Sequence, residues 1–199
     1  SRTMTTGSDI RRARFVVSYR GTAFRGAAES PGVRTVIGEL RTACEQILGQ
    51  PIEFTLAGRT DAGVHALGQV ISCHLPGAVD PSDLAHRLSR MCAPDIAVRS
   101  GEWAPDDFNA RFSASSRSYR YHVWNAPEGN PLLHDLTWHV AQSLNLDLMN
   151  EAAQVVVGQH DFSSFCRAPD PAPDGTPLSL VRTVISASWT RGDPSHLVM

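Results

Sequence analysis

Lysine is absent from the 199-residue sequence, and all 18 basic side chains are arginine. This absence excludes enzymes that need a lysine amine: Schiff-base and pyridoxal-phosphate enzymes, Walker-A nucleotide hydrolases and protein kinases. The positive charge lies on planar, permanently ionised guanidinium groups, which suit phosphates and stacked bases. Residues 1–120 hold 15 arginines and 12 acidic residues, whereas residues 121–199 hold 3 and 8. The basic first part therefore permits a polyanionic partner.

Long apolar runs are also missing. No stretch approaches the roughly 20 apolar residues of a membrane-spanning helix, and the first nine residues lack the apolar core of a signal peptide. The four cysteines form no C-x-x-C pair, which favours reduced, mostly buried thiols over a disulfide framework. No histidine belongs to a recognisable metal-ligand motif. We therefore expect a soluble cytoplasmic protein without a metal or a membrane partner.

Residues 1–105 are predicted to form one α/β subdomain with the order strand, helix, strand, strand, helix, strand. Thr35 is the predicted cap of the first helix, which Gly49 ends, and Asp83 is the predicted cap of the second. The four strands are predicted at Arg14–Tyr19, Ile52–Leu56, Gln69–Leu75 and Ile96–Trp103. This order is typical of the split βαβ, ferredoxin-like arrangement, whose open sheet face many RNA-binding modules use.

Residues 106–199 are predicted to form a second α/β subdomain. Its predicted elements are a strand at Ser116–Trp124, a helix capped by Asp147, a loop at 168–175 and a strand at Val181–Trp189. If this half repeats the first, a final helix and strand are missing, so we expect it to be truncated at its C-terminus.

A glycine-bracketed loop between two predicted strands carries the most informative residues. Arg59 and Asp61 alternate in it, so in an extended segment their side chains would point the same way. A guanidinium so near would keep the carboxylate ionised, and an ionised carboxylate can act as a nucleophile or a base. From chemistry alone, a purely local ion pair remains the other interpretation. The full string is Gly58-Arg59-Thr60-Asp61-Ala62-Gly63-Val64-His65-Ala66-Leu67-Gly68-Gln69.

This string closely resembles the signature of the tRNA pseudouridine synthase A (TruA-type) family. Further segments resemble other motifs of that family in the same order: 19–26, 34–40, 108–114 with Tyr119-Arg120-Tyr121, and 158–165. The resemblance implies an α+β pseudouridine synthase fold. In that fold, two ferredoxin-like halves form a mixed, mainly antiparallel sheet with helices on one face.

The resemblance also implies an activity, an isomerase that converts uridine to pseudouridine in the anticodon stem-loop of tRNA. Asp61 would be the catalytic aspartate, and no cofactor or metal would be needed. Because the target uridine lies in a helical stem, it must be flipped out, and Arg59 would lie beside the vacated position. A homodimer that binds one tRNA across both subunits is implied as well.

The resemblance assigns further residues to substrate binding. Tyr119 would stack on the target base, whereas Tyr121 is predicted to lie in the core and His65 to pack within the loop. Contacts to phosphates are expected from some of six arginines. These are Arg14, Arg20, Arg25, Arg111, Arg117 and Arg120.

Two departures from the family pattern leave alternatives open. Ala27-Ala28 stands where the family has a Trp-Gln pair, and if these positions line the tRNA path, this chain binds RNA differently there. The second departure is at the C-terminus, where we expect a segment bearing a further arginine to be missing. The first alternative is a catalytically impaired RNA-binding fragment of the same fold. The second is a carboxylate glycosidase acting on free nucleosides, which would need a second carboxylate as its acid.

Overall fold

The computed structural model describes residues 9–166, 179–193 and 195–199. The loop predicted at 168–175 lies outside these residues. The chain divides into two compact units, residues 1–117 and 118–199. Among the helices of the described residues, none is long and apolar enough to cross a membrane.

The first unit contains a four-stranded sheet and two helices. Its elements follow the predicted order: β1 (Ile10–Tyr19), α1 (Val36–Leu48), β2 (Thr55–Leu56), β3 (Ala66–Pro76), α2 (Pro81–Met91) and β4 (Ile96–Trp103). The strands lie in the order β2-β3-β1-β4, and every neighbouring pair is antiparallel. The second strand is shorter than predicted.

Local capping chemistry sets the ends of the two helices. The Thr35 side chain accepts a hydrogen bond from the Gly38 amide, which confirms the predicted cap of α1. Gly49 ends that helix at a φ of 69°, a left-handed conformation that favours glycine. The predicted cap Asp83 is wrong, because Asp80 caps α2 by accepting from Ser82 and Pro81 occupies the first helical turn.

The side chains of β1 alternate between the core of the first unit and the opposite face of the sheet. Ala13, Phe15, Val17 and Tyr19 are buried, and α1 and α2 contribute further buried side chains to the same core. Arg14 alternates with these residues and therefore lies on the face opposite to the core. One sheet face is thus apolar and covered, while the other carries polar side chains.

Three of the four cysteines belong to this core. Burial raises the pKa of Cys44 and Cys73 to about 12 and that of Cys92 to about 11, so these thiols stay protonated at neutral pH. The prediction of reduced, mostly buried thiols is confirmed for these three residues. Cys166 is exposed.

In its described residues, the second unit contains six short strands and one α-helix. They are β5 (His122–Trp124), β6 (Trp138–His139), α3 (Leu146–Val155), β7 (Gly158–Asp161), β8 (Val181–Val184), β9 (Thr190–Asp193) and β10 (His196–Val198). One sheet has the order β6-β5-β10-β9, and β7 pairs with β8 separately.

Three sequence-based assignments in the second unit are wrong in detail. The strand predicted at Ser116–Trp124 begins only at His122, where pairing with Val198 starts the ladder. The strand predicted at Val181–Trp189 ends at Val184, where its pairing with Gly158 also ends. Asn145, and not Asp147, caps α3 through its side chain, which accepts from the Leu148 amide.

Residues 106–117 pack with the first unit, so the unit boundary lies further along the chain than position 105. The buried Ala110 amide donates to the Ser72 hydroxyl on β3. At the end of this segment, the Arg117 guanidinium donates to the Ala57 carbonyl. Hydrogen bonds to β3 and to the segment after β2 therefore hold these residues against the first sheet.

A histidine pair in the second unit predicts that stability depends on pH. His122 Nδ1 and His196 Nε2 are 2.9 Å apart, and desolvation, His196 and Arg120 lower the pKa of His122 below its usual 6.5. The unfolded chain therefore binds more protons below pH 6.5, and stability falls as the pH drops through that range. We expect a lower urea midpoint at pH 5.5 than at pH 7.5, and a smaller drop in His122→Gln. The exposed control His86→Gln is expected to keep the wild-type pH dependence; an unchanged drop in His122→Gln would contradict the assignment.

Candidate active site

Asp61 lies in the loop that joins β2 to β3. The Val64 amide donates to the Asp61 carbonyl over 3.2 Å and closes a turn. Gly63 has a φ of 82° in this turn, a value typical of the glycine in a type II turn. The Asp61 side chain is exposed. The loop therefore presents a carboxylate to solvent from a defined turn.

A hydrogen-bond network fixes the loop just before Asp61. The Gln69 side-chain amide donates to the Gly58 carbonyl (2.7 Å) and accepts from the Gly58 amide (3.3 Å). It also donates to the Tyr19 hydroxyl, which lies 2.7 Å from the Thr60 hydroxyl. Because Tyr19 is buried in the core, this network connects the loop to the rigid sheet.

The segment after β1 supports the loop from a second side. The Ala27 amide donates to the Thr60 carbonyl (3.0 Å), and the Gly63 amide donates to the Phe24 carbonyl (3.4 Å). His65 accepts from the Gly21 amide at Nδ1, in agreement with its predicted packing role. Gly21 leaves no room for a side chain, since a Cβ there would lie 2.0 Å from the Val64 carbonyl oxygen.

Removing one hydroxyl tests whether this network positions Asp61. Tyr19→Phe keeps the buried ring but leaves Thr60 and Gln69 without their shared partner. For the activity that the resemblance implies, we expect kcat to fall about tenfold while KM stays within about twofold, because the loop is displaced and the binding surface is not. Tyr121→Phe, which removes an exposed phenol, serves as the control and should change neither constant. A tenfold rise in KM at constant kcat would contradict a positioning role.

Arg59 and Asp61, whose spacing predicts side chains that point the same way, do not form an ion pair with each other. Both side chains are exposed, and among the described residues neither makes a salt bridge. The loop is not a regular extended strand at this point, so the rule that alternate side chains share a face does not apply to it. Arg59 is therefore available for a partner other than Asp61.

Four other arginines that were predicted to contact phosphates differ in the partners of their guanidinium groups. Arg14 pairs with Glu102 at 2.7 Å, and the Arg117 guanidinium donates to the Ala57 carbonyl at the start of the loop. Arg25 is exposed, and its side chain makes no salt bridge within the described residues. The Arg111 guanidinium lies over the Phe112 ring, 5.3 Å from its centroid.

The two tyrosines near the unit boundary lie outside any strand. Tyr119 is 67% exposed and Tyr121 is 64% exposed. The prediction that Tyr121 lies in the core is therefore wrong. The rule that alternate residues of a strand share one face does not apply to residues 117–121, because the strand begins only at His122.

Ala27 does not line an outer surface. It is fully buried, and its amide and carbonyl contact the loop and α1. At this position, the departure from the Trp-Gln pair therefore concerns packing next to the loop.

Sequence reasoning missed Tyr19 and Gln69 as supports of the site, although both lie in the matched motifs. In the described part of the chain, no group of three or more His, Cys, Asp and Glu is arranged to hold a metal ion.

Comparison with known proteins identifies close relatives. A family model described as tRNA pseudouridine synthase matches residues 15–126. The chain is 41% identical over 194 residues to tRNA pseudouridine synthase A of Hyphomonas neptunium, covering 94% of the chain and 77% of the relative. The protein of the same name from Streptomyces avermitilis is 42% identical, with 92% of the chain and 65% of the relative covered. The tRNA pseudouridine synthase A of Bacillus subtilis is 37% identical, with 90% of the chain and 71% of the relative covered.

Proposed function

This chain belongs to the tRNA pseudouridine synthase A family, and from that premise we propose that it isomerises uridine to pseudouridine in the anticodon stem-loop of tRNA. Enzymes of this family are RNA pseudouridine synthases, which are isomerases. The observation that carries the proposal is the exposed Asp61, held on a turn within a loop that is hydrogen-bonded on both sides. A catalytic carboxylate needs such support to keep its geometry.

The reaction needs only groups that a side chain and water supply. The N1–C1′ bond of uridine breaks, the base turns, and a C5–C1′ bond forms. The hydrogen at C5 leaves as a proton and N1 gains one, so atoms balance and nothing is oxidised or reduced. We assign Asp61 the role of nucleophile in this reaction: its carboxylate forms a transient bond to the nucleotide, and that bond breaks again before the product leaves, so the free carboxylate is regenerated.

Arg59 and Tyr119 are proposed to act when the target nucleotide is flipped out of the stem. A base inside a stem cannot reach a side chain until it is extruded, which costs a few kcal/mol of stacking and pairing. Arg59 is exposed and free of a salt bridge among the described residues, so its guanidinium can take the place left in the stack. Tyr119 is exposed and offers an aromatic face to the extruded base.

Binding of the tRNA backbone is proposed to involve Arg25, Arg111 and Arg117. Arg25 and Arg111 are exposed, which suits phosphate contacts. Arg117 already donates to Ala57, and its remaining N–H groups can reach a phosphate while the loop contact is kept.

The fold and assembly complete the proposal. We propose that the two units are ferredoxin-like halves, which the antiparallel order β2-β3-β1-β4 of the first sheet supports. We propose further that the enzyme is a cytoplasmic homodimer that binds one tRNA across both subunits. Light scattering of the protein with and without tRNA tests the dimer, and a monomer in both samples would contradict it.

Mapping the product tests the substrate assignment. The chain is incubated with an unmodified tRNA transcript, and pseudouridines are located by carbodiimide labelling and primer extension. We expect new primer-extension stops only in the anticodon stem-loop, and free uridine incubated with the chain should remain uridine when the nucleosides are separated by chromatography. Stops elsewhere would overturn the proposed site, and tRNA binding without any pseudouridine would overturn the proposed activity in favour of an RNA-binding module.

A further inference from the structure

A tight turn at residues 109–113 holds two side chains out into solvent. The Asn109 side-chain oxygen accepts from the amides of Arg111 (2.9 Å) and Phe112 (3.3 Å). The Asn109 amide donates to the Ser113 hydroxyl, and the Ser113 amide donates back to the Asn109 carbonyl (2.8 Å). The backbone between them is therefore fixed, and ordering it on binding a ligand costs little.

The turn rests on the strand pair that carries the Asp61 loop. The amide of the buried Ala110 donates to the hydroxyl of Ser72, which is fully buried on β3. Ser72 alternates with the core residues Ile71 and Cys73, so it lies on the face without helices. The next ladder pair, Leu56 with Ile71, is the last before the loop. The turn therefore lies on the helix-free face, close to the base of the loop.

The Phe112 side chain has no packing role in the fold. It is 78% exposed, the highest value among the large apolar side chains of the first unit in the described residues. The Arg111 guanidinium lies over one face of its ring, 5.3 Å from the ring centroid, which is a cation–π contact. An aromatic ring exposed beside a guanidinium presents a stacking surface and a phosphate-binding group side by side.

We propose that Phe112 and Arg111 form a nucleotide-binding site in which Phe112 stacks on an unpaired base of the bound tRNA and Arg111 binds an adjacent phosphate. This site rests on the proposed function for the identity of its RNA. It extends the binding surface from the Asp61 loop onto the helix-free face of the sheet. It selects for unpaired nucleotides, because a base inside a duplex has no free face to stack on.

Binding of an unmodified tRNA transcript by Phe112→Leu tests the stacking contact. The measurement is made in the Asp61→Asn background, so that turnover does not interfere. We expect Kd for tRNA to rise at least about fivefold, the lower limit for the loss of one stacked base. Phe112→Tyr should bind within about twofold of the parent. Phe165→Leu, which removes a ring that is 81% exposed in the second unit, is the matched control and should not change Kd.

Two further measurements give the proposal a distinct signature. Arg111→Ala should reduce the slope of log Kd against log salt concentration by about 0.7–1, the effect of one lost phosphate contact. A fully paired RNA duplex should bind Phe112→Leu and its parent equally. Melting temperatures of all variants should match the parent, because both side chains are exposed.

Either of two results would overturn the proposal: an unchanged Kd for tRNA in Phe112→Leu, or an equal loss of affinity for duplex and tRNA. Neither result bears on the isomerase activity, which is measured separately by product formation. Conversely, an inactive wild-type chain whose tRNA binding still depends on Phe112 would reject the proposed function and leave this site standing.

Discussion

Replacing Asp61 by asparagine is expected to reduce pseudouridine formation by about a thousandfold or more. The amide is nearly isosteric with the carboxylate but is a far weaker nucleophile, so the chemical step fails while the loop keeps its shape. Asp61 is exposed and makes no salt bridge among the described residues, so its replacement removes no stabilising contact. Single-turnover kinetics with saturating enzyme isolate this step from tRNA binding.

The control for Asp61→Asn is Asp106→Asn, which neutralises another exposed carboxylate of the first unit. It should retain wild-type kinetics, and Kd for tRNA should stay within about twofold for both variants. A rate within tenfold of wild type in Asp61→Asn would remove Asp61 from the catalytic role. An equal loss in Asp106→Asn would assign the effect to charge and not to position.

Gly21→Ala is expected to cause the second-largest effect, although Gly21 does not touch the substrate in this account. The added Cβ would lie 2.0 Å from the Val64 carbonyl oxygen and 2.5 Å from its carbonyl carbon, which are backbone atoms. The loop must therefore move, and a displacement of about 1 Å costs on the order of 100-fold in kcat. Overpacking of this kind also lowers the free energy of unfolding by about 1–3 kcal/mol.

Gly68→Ala is the matched control, since Gly68 lies in β3 just after the loop and a Cβ on it meets nothing within 4 Å. It should leave kcat within about twofold of wild type. Activity and urea unfolding are measured on both variants at a temperature where both are folded. Wild-type kcat in Gly21→Ala would mean that the Asp61 loop tolerates displacement, and the positioning argument would fail.

Local sequence signals specified much of the first unit. Helix α1 could be predicted because Thr35 and Gly49 act through short-range hydrogen bonding and backbone conformation. The start of α2 was missed even though Asp80 followed by Pro81 is a capping signal, because Asp83 sits closer to the first periodic apolar residue. The correct prediction for α1 and the missed start of α2 both depend on residues that are close together in the sequence.

Long-range contacts could not be predicted in the same way. Gln69 bonds to Gly58, and Tyr19 bonds to Thr60, 41 residues away. No periodicity reveals such pairs, which exist only once β1 and β3 are aligned. The exposed position of Tyr121 was missed for the same reason, since the strand pattern of residues 116–124 extends further than the ladder with β10.

The candidate site itself could be located from the loop motif, but its geometry could not. The alternation of Arg59 and Asp61 predicted side chains on one face of an extended segment, whereas this segment is not a strand and Asp61 begins a turn that the Val64 amide closes. That difference bears on the proposed role of Arg59, because a guanidinium that makes no salt bridge among the described residues can contact an RNA ligand.

Release of tritium from tRNA labelled at C5 of uridine tests the central claim most directly, because only C5–C1′ bond formation expels that hydrogen. With the wild-type chain we predict release that matches the pseudouridine formed, one for one, and that stops in Asp61→Asn. Tritium release at an equal rate from wild type and Asp61→Asn, or none from a wild-type chain that binds tRNA, would contradict the account.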